Sequence, residues 1–329
     1  MTVPFWFWIG FGAFVLVMLA LDLGVFHKKD HVISVKEATA WVGVWVSLAL
    51  AFNVGIYFYA GGGPALEFLT GYLIEESLSV DNIFVFAVIF SYFKVPAQYQ
   101  HKVLYWGIFG ALVMRLTMIL LGVALIERFD WVIYVFGAFL VYTGYRMATQ
   151  HEIDIEPEHN PLVKLVRRFF RVTPRYHGGH FFVVQDGRKY ATPLLIVVVV
   201  VEATDVVFAI DSIPAIFGIT RDPFIVYTSN VFAILGLRSL YFALAGMLDR
   251  FHYLSRALAV VLIFVGVKML ISDYWHMPTW LALGFVLAVL SGAVVLSLLR
   301  PKPPEVDGIE VDEPPPGIPA REESGEAAS

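Results

Sequence analysis

Eight residues, EESLSVDN from Glu75 to Asn82, set three carboxylates and an amide between the apolar runs GYLI and IFVFAVIF. A second stretch, VVEATDVVFAIDSIPAI, carries Glu202, Asp205 and Asp211 in equally apolar surroundings. An ionised carboxylate near the centre of a bilayer costs about 2.5–3.5 kcal/mol on insertion scales, and such residues are by default read as functional. Glu75, Glu76, Asp81, Glu202, Asp205 and Asp211 all need compensation on that account. Carboxylates, hydroxyls and amides without thiolates make a hard, oxygen-rich site, which favours Mg²⁺, Ca²⁺ or Mn²⁺ over Zn²⁺ or Cu⁺. The same carboxylates carry protons, so exchanging a metal ion for protons needs no other type of group.

Helix geometry constrains which of these acids can meet. On an ideal helix Glu202 lies about 60 degrees from Asp205, and Ser212 returns to that face two turns later. Glu75 and Asp211 fall about 120 degrees from Asp81 and Asp205, so they reach a common site only if the helix is interrupted. Pro214 gives a reason for a break by removing an amide donor. A purely structural reading pairs the acids with Arg115, Arg238 and Lys268, which also lie within apolar segments. Acids outnumber bases there, so the bases are expected to hold the acids in place. Asn230 is either a further ligand or a hydrogen bond between helices. Two aspartates on neighbouring spans also suggest the dyad of an intramembrane aspartyl protease. Presenilin-like proteases, however, place one Asp after Tyr and the other in GxGD, whereas Asp81 follows Val80, Asp205 follows Thr204, and no GxGD occurs. No enzymatic role is expected.

The elements that must position these residues are membrane spans. Of the 329 residues, 58% are hydrophobic and 16% charged, where a soluble domain carries about 25% charged. Mean hydropathy is +0.72. The absence of cysteine excludes disulfides, thiolate metal sites and thiol redox chemistry. Apolar runs predict an all-α polytopic fold of about nine transmembrane helices, at 5–26, 38–60, 65–93, 102–126, 130–149, 192–217, 222–247, 254–273 and 279–299. Lys28, Lys29, Lys36, Lys94, Lys102, a cluster from Lys164 to Lys189, Arg250 and Arg256 fall in alternate connections, and the others hold only Arg128 and Arg221. The positive-inside rule then puts the N-terminus outside and the C-terminus in the cytoplasm. The first span precedes its basic residues, which suits an anchor better than a secretory signal.

The chain also repeats itself. VDNIF at 80–84 matches TDVVF at 204–208, ALVMR at 111–115 matches ILGLR at 234–238, and TGYRM at 143–147 matches VGVKM at 265–269. Asp81 to Arg115 is 34 positions and Asp205 to Arg238 is 33. A three-helix unit repeated after a loop that returns on the same side crosses the membrane in opposite directions, so an inverted repeat of helices 3–5 and 6–8 is expected, with copies at 65–149 and 192–273. Such repeats commonly carry a transport site at their interface. The expected organisation is a first transmembrane half at 1–149, a cytoplasmic loop at 150–191, a second half at 192–299 and a tail at 300–329. In the loop, PLVKLVRRFFRV reads as a helix on the anionic leaflet, and FFVVQDGRKYAT as a hairpin turning at Asp186-Gly187. The loop is a connector or a cap. The acidic, Pro-rich tail is expected to be disordered. Asp22 reads as an acid reaching the interface, and HEIDIEPEH at 151–159 as a solvated loop.

GYLIEESLSVDNIFVF, VVEATDVVFAIDSIPAIF, DPFIVYTSNVFAILGLRSLYF and YATPLL resemble the TerC family of bacterial membrane proteins, most closely its Alx-type branch, over about residues 5–299. The family is named for tellurium resistance, and the resemblance implies a divalent-cation exporter, chiefly of Mn²⁺, related to the LysE-like superfamily. Carried over by motif, Glu75 and Asp81 match the first signature and Glu202, Asp205 and Asp211 the second, as metal ligands or proton carriers. Asn82, Arg115, Asn230 and Arg238 support them. Glu76 departs from the related branch, which has Lys there. The resemblance implies location in the bacterial inner membrane, Mn²⁺ as substrate with no permanently bound cofactor, and a secretion translocon as a partner of some members. No nucleic-acid partner is expected. The alternative is a non-transporting membrane factor that relieves metalloid or envelope stress through partner proteins.

Overall fold

The computed structural model describes residues 3–24, 34–149, 172–173, 175–185, 188–244, 253–275 and 277–300. The side chains of Asp22, Asp81 and Gln185 lie outside that description, as do the expected loop helix, HEIDIEPEH and the acidic tail. The described residues form nine helices and one hairpin. The helices are α1 (Phe5–Gly24), α2 (Val35–Ala60), α3 (Gly62–Tyr92), α4 (Ala97–Arg128), α5 (Val132–Thr149), α6 (Pro193–Phe217), α7 (Pro223–Leu244), α8 (Leu254–Leu270) and α9 (Thr279–Leu299), and the hairpin strands are β1 (Phe182–Gln185) and β2 (Arg188–Ala191). The chain is thus an all-α polytopic membrane protein, as its apolar runs predict.

Punctuation between helices follows local chemistry. Gly61, at φ 88° and ψ −177°, separates α2 from α3 in a conformation that side-chain-bearing residues avoid. Pro96 and Pro278 precede α4 and α9, and Pro223 opens α7, all positions where a missing amide costs no helical bond. Asp222 caps α7, its Oδ1 accepting from the amides of Phe224 at 2.9 Å and Ile225 at 3.3 Å.

Five helices (α2, α4, α6, α7 and α9) are long and apolar enough to cross a bilayer by composition alone. α3 is longer than most of them at 31 residues, and is kept out of that set by its own acids, Glu67, Glu75, Glu76 and Asp81. α7 is buried along nearly its whole length, so it is the central helix. An aromatic core of Phe11, Phe52, Phe68, Phe224 and Phe232 seats α1, α2 and α3 on it. Large apolar side chains such as Trp6, Phe58 and Leu299 face outward, which suits a solvent that is itself apolar.

Contacts between the two helix triplets follow a pattern. α3 packs on α7 and α6 on α4, while α5 packs on α8, α3 on α6 and α4 on α7. Exchanging α3, α4, α5 for α6, α7, α8 leaves that set unchanged. The α5–α8 seam keeps the correspondence at atomic detail. A Cβ on Gly266 would lie 2.6 Å from the Gly137 carbonyl oxygen, and one on Gly144 would lie 2.8 Å from the Ala259 carbonyl oxygen. In the TGYRM and VGVKM alignment Gly144 matches Gly266, and Gly137 matches Ala259. The seam therefore relies on small residues that let two backbones meet.

The expected break in α6 is not seen. The helix runs through Pro214 to Phe217, and the Gly218 amide donates to the Pro214 carbonyl at 3.0 Å. Proline so near a C-terminus interrupts only the last turn.

The hairpin matches expectation. Gln185 pairs with Arg188, and the expected turn at Asp186-Gly187 lies outside the described residues. Its approach segment docks on the ends of α3 and α4. The Tyr176 hydroxyl donates to the Phe93 carbonyl at 2.7 Å, Lys102 Nζ lies 5.4 Å from the centre of the Phe181 ring, and Thr192 Oγ1 donates to the His180 carbonyl at 2.7 Å.

Candidate functional site

Near the middle of four helices, the side chains of Glu75 (α3), Arg115 (α4), Asp205 and Ser212 (α6) and Asn230 (α7) converge. Arg115 is the hub. Its Nε donates to Asp205 Oδ2 at 3.2 Å and its Nη2 to Asp205 Oδ1 at 2.9 Å, a two-pronged fork of the kind that gives guanidinium–carboxylate pairs their geometry. Nη1 contacts Glu75 Oε1 directly, donates to Asn230 Oδ1 at 3.1 Å and reaches Ser212 Oγ at 3.5 Å. Glu75 and Arg115 are each 1% exposed, Asp205 3% and Asn230 0%. Two carboxylates share one guanidinium away from water, where charged groups are costly unless paired and hydrogen-bonded.

Local sequence explains the convergence. Glu75 and Arg115 belong to the first triplet, Asp205, Ser212 and Asn230 to the second, and the α3–α6 and α4–α7 contacts bring them to one depth. Gly110 and Gly107 thin α4 on the side facing α6. A Cβ on Gly110 would fall 1.9 Å from Glu202 Oε1, and one on Gly107 3.0 Å from a Val201 methyl. A small cavity of about 10 Å³ opens beside Asp205 and Arg238, walled by Phe86, Ile108 and Val201.

Of the residues singled out in the sequence, Glu75, Asp205, Arg115 and Asn230 meet at one point, joined by Ser212. Glu202 sits one turn before Asp205, against Gly110. Arg238 is buried and borders the cavity, and Asn82 is buried in α3. Asp211 lies elsewhere: Thr143 of α5 hydrogen-bonds it and Arg146 lies close by. With α6 continuous through Pro214, nothing turns Asp211 toward Arg115. Glu76 also points away, bonded to Tyr72 and facing Gly236 and Trp45. Among the described residues no three of His, Asp and Glu lie close enough together to hold a metal ion.

Sequence reasoning missed a second polar group between α3 and α8. Thr220 Oγ1 donates to Glu67 Oε2 at 2.6 Å, and Lys268 Nζ donates to the Gly218 carbonyl at 2.9 Å with Glu67 nearby. Glu67 near the start of an apolar helix was the available signal. Thr143 and Arg146 were likewise visible only as parts of TGYRM.

Helices long and apolar enough to cross a bilayer and a buried acid–guanidinium cluster at their centre define an integral membrane protein with a polar interior. The chain belongs to the integral membrane protein TerC family, whose model matches residues 60–304. It is 55% identical over 293 residues to a Myxococcus xanthus protein described as "Uncharacterized membrane protein STKORF319", covering 89% of this chain and 92% of that one. It is 50% identical over 292 residues to the Escherichia coli K12 protein named "Putative membrane-bound redox modulator Alx", covering 86% and 91%. A Rickettsia bellii membrane protein is 41% identical over 293 residues, covering 89% and 97%. No solved structure matches.

Proposed function

We propose that the protein is a transporter that moves Mn²⁺ outward across the bacterial inner membrane in exchange for protons. The observation that carries this reading is the buried meeting of Glu75, Asp205 and Asn230 from three helices and both triplets. Intramembrane acids that converge at a repeat interface are the arrangement found where an ion crosses. Asp205 and Glu75 supply charged oxygens. Asp81, which aligns with Asp205, supplies the matching carboxylate from α3, and Glu202 serves one turn away. Asp211, held by α5, acts as a proton carrier. The two triplets form an inverted repeat, and alternating access follows from rocking one against the other. Orientation rests on the Lys and Arg distribution, with the N-terminus outside and the hairpin in the cytoplasm.

A second reading draws on the redox-modulator name of the relatives: a membrane factor that acts through partner proteins and moves no ion. This chain has no cysteine, so thiol exchange on such a partner would not involve a thiol of its own.

The two separate in liposomes holding only the purified protein under an imposed pH gradient. Mn²⁺ flux that follows the gradient and is lost in Asp81→Asn and Asp205→Asn is the expected result. A folded wild type without flux would overturn the transport reading in favour of the partner-dependent one.

A further inference from the structure

Arg115 donates to two carboxylates, an amide carbonyl and a hydroxyl: Glu75 Oε1, both oxygens of Asp205, Asn230 Oδ1 and Ser212 Oγ. That set of oxygens from four side chains is what a hard divalent cation selects, with Mg²⁺ and Mn²⁺ preferring six oxygens in an octahedron. A planar guanidinium cannot satisfy all of it, because Nη1 has two hydrogens for three of those acceptors. Glu75 Oε2 is buried without a hydrogen-bond partner on a residue 1% exposed, and Asn230 Nδ2 is likewise buried and unpartnered on a residue 0% exposed. A buried carboxylate oxygen left over beside a filled one is unused ligand capacity, since such oxygens are ordinarily satisfied. The neighbouring cavity, at about 10 Å³, has room for no more than about one water. A hydrated cation therefore has no place there while Arg115 stays.

We infer that Arg115 is a tethered stand-in for the transported cation: guanidinium and divalent ion hold the same oxygens of Glu75, Asp205, Ser212 and Asn230 by turns. The inference rests on the cation-transport reading and adds the step that reading lacks. An exchanger whose protons ride on Asp211 returns through a state in which the metal site itself is empty, and two bare carboxylates facing each other in a membrane are costly. Arg115 fills their site on that return. Cargo enters by displacing it and leaves as it swings back, so binding is weakened on purpose and release is assisted. The role differs from a fixed clamp, which would strengthen the site by aligning its ligands.

The opposite signs make the test direct. Loss of Mn²⁺ hydrate signal in electron paramagnetic resonance measures binding to the purified full-length protein in nanodiscs. Arg115→Gln and Arg115→Ala are expected to bind Mn²⁺ about tenfold tighter or more, equivalent to about 1.4 kcal/mol, while losing exchange flux in liposomes. In Arg115→Ala, added guanidinium ion should compete with Mn²⁺ where Na⁺ at equal ionic strength does not. Asp205→Asn in the same background should remove the gain. Arg115→Lys keeps the charge without the fork, should bind between wild type and Gln, and serves if the neutral variants fail to fold. Binding that is unchanged or weaker in these variants, with the wild type binding, would reduce Arg115 to a structural clamp and overturn the inference alone. No Mn²⁺ binding by any folded form would overturn the transport reading, and this inference with it.

Discussion

At the scale of single residues, the interior of this protein is governed by one guanidinium. Arg115 has two carboxylate partners and presents five N–H donors in a fixed fork, so its demand for acceptors is fixed. Removing one partner of a buried pair costs about 3–5 kcal/mol when it strands the other, and less here, because Glu75 stays on Arg115. Asp205→Ala is accordingly expected to destabilise the protein by less than that amount in denaturant titrations, and Asp205→Asn by less still, because its amide oxygen accepts one prong of the fork. Equal loss in the two would mean that charge matters more than hydrogen bonding. The acids announced themselves because a carboxylate in an apolar run has no bland explanation, and Arg115 was visible as a basic residue inside a span. Helix angles taken from Asp81 and Asp205 alone bring Glu75 and Asp211 to a common site only through an interrupted helix. Arg115 instead reaches across from α4, and its long side chain joins Glu75 and Asp205 without any bend. Asp211 stays on the α5 side because the break at Pro214 that would redirect it does not occur.

At the scale of elements, spans were readable and their ends were not. α4 begins at Ala97 rather than near residue 102 because AQYQHK, though too polar to count as membrane-spanning, continues the helix after Pro96. Hydropathy reports where a helix meets lipid, not where its hydrogen bonds stop. The α5–α8 seam could not be foreseen in detail, although its glycines stand in the repeated TGYRM and VGVKM strings. It makes a firm prediction. Gly266→Val forces a side chain against the Gly137 carbonyl and the Val141 amide, atoms that cannot move aside, and overpacking of this kind costs about 1–3 kcal/mol. Gly284→Ala in α9, where the new methyl meets no neighbouring element within 4 Å, is the control and should leave the melting temperature unchanged or raise it slightly through helix propensity. Equal effects from both would show that the seam is not a close contact in the membrane.

At the scale of the whole molecule, the hairpin segment and the bundle are one unit, tied where Tyr176 meets the end of α3. Burial pushes the Tyr176 phenol up to about 12 from its ordinary 10, and its proton makes the bond to Phe93. The docked state holds that proton more tightly than the free one. The advantage is therefore complete below about pH 10 and falls as pH rises through 10 to 12. Protease cleavage of the segment should stay constant to about pH 10 and rise above it, and Tyr176→Phe should raise it by the loss of one hydrogen bond, about 1 kcal/mol, below about pH 10, with the difference closing above that. Cleavage that ignores both changes would place the anchor elsewhere. The central cluster has a further meaning when the order of synthesis is considered. Glu75 and Arg115 are 40 residues apart, whereas Asp205 follows Arg115 by 90. Ribosomes add about 5–20 residues each second, so α3 and α4 can enter the lipid as a charge-paired hairpin several seconds before α6 exists. During that interval the nascent chain holds a guanidinium with one of its two acids, and nothing but the arrival of the second half completes it. Chains stopped before α6 should therefore carry a mark of incompleteness that a membrane quality-control protease can read.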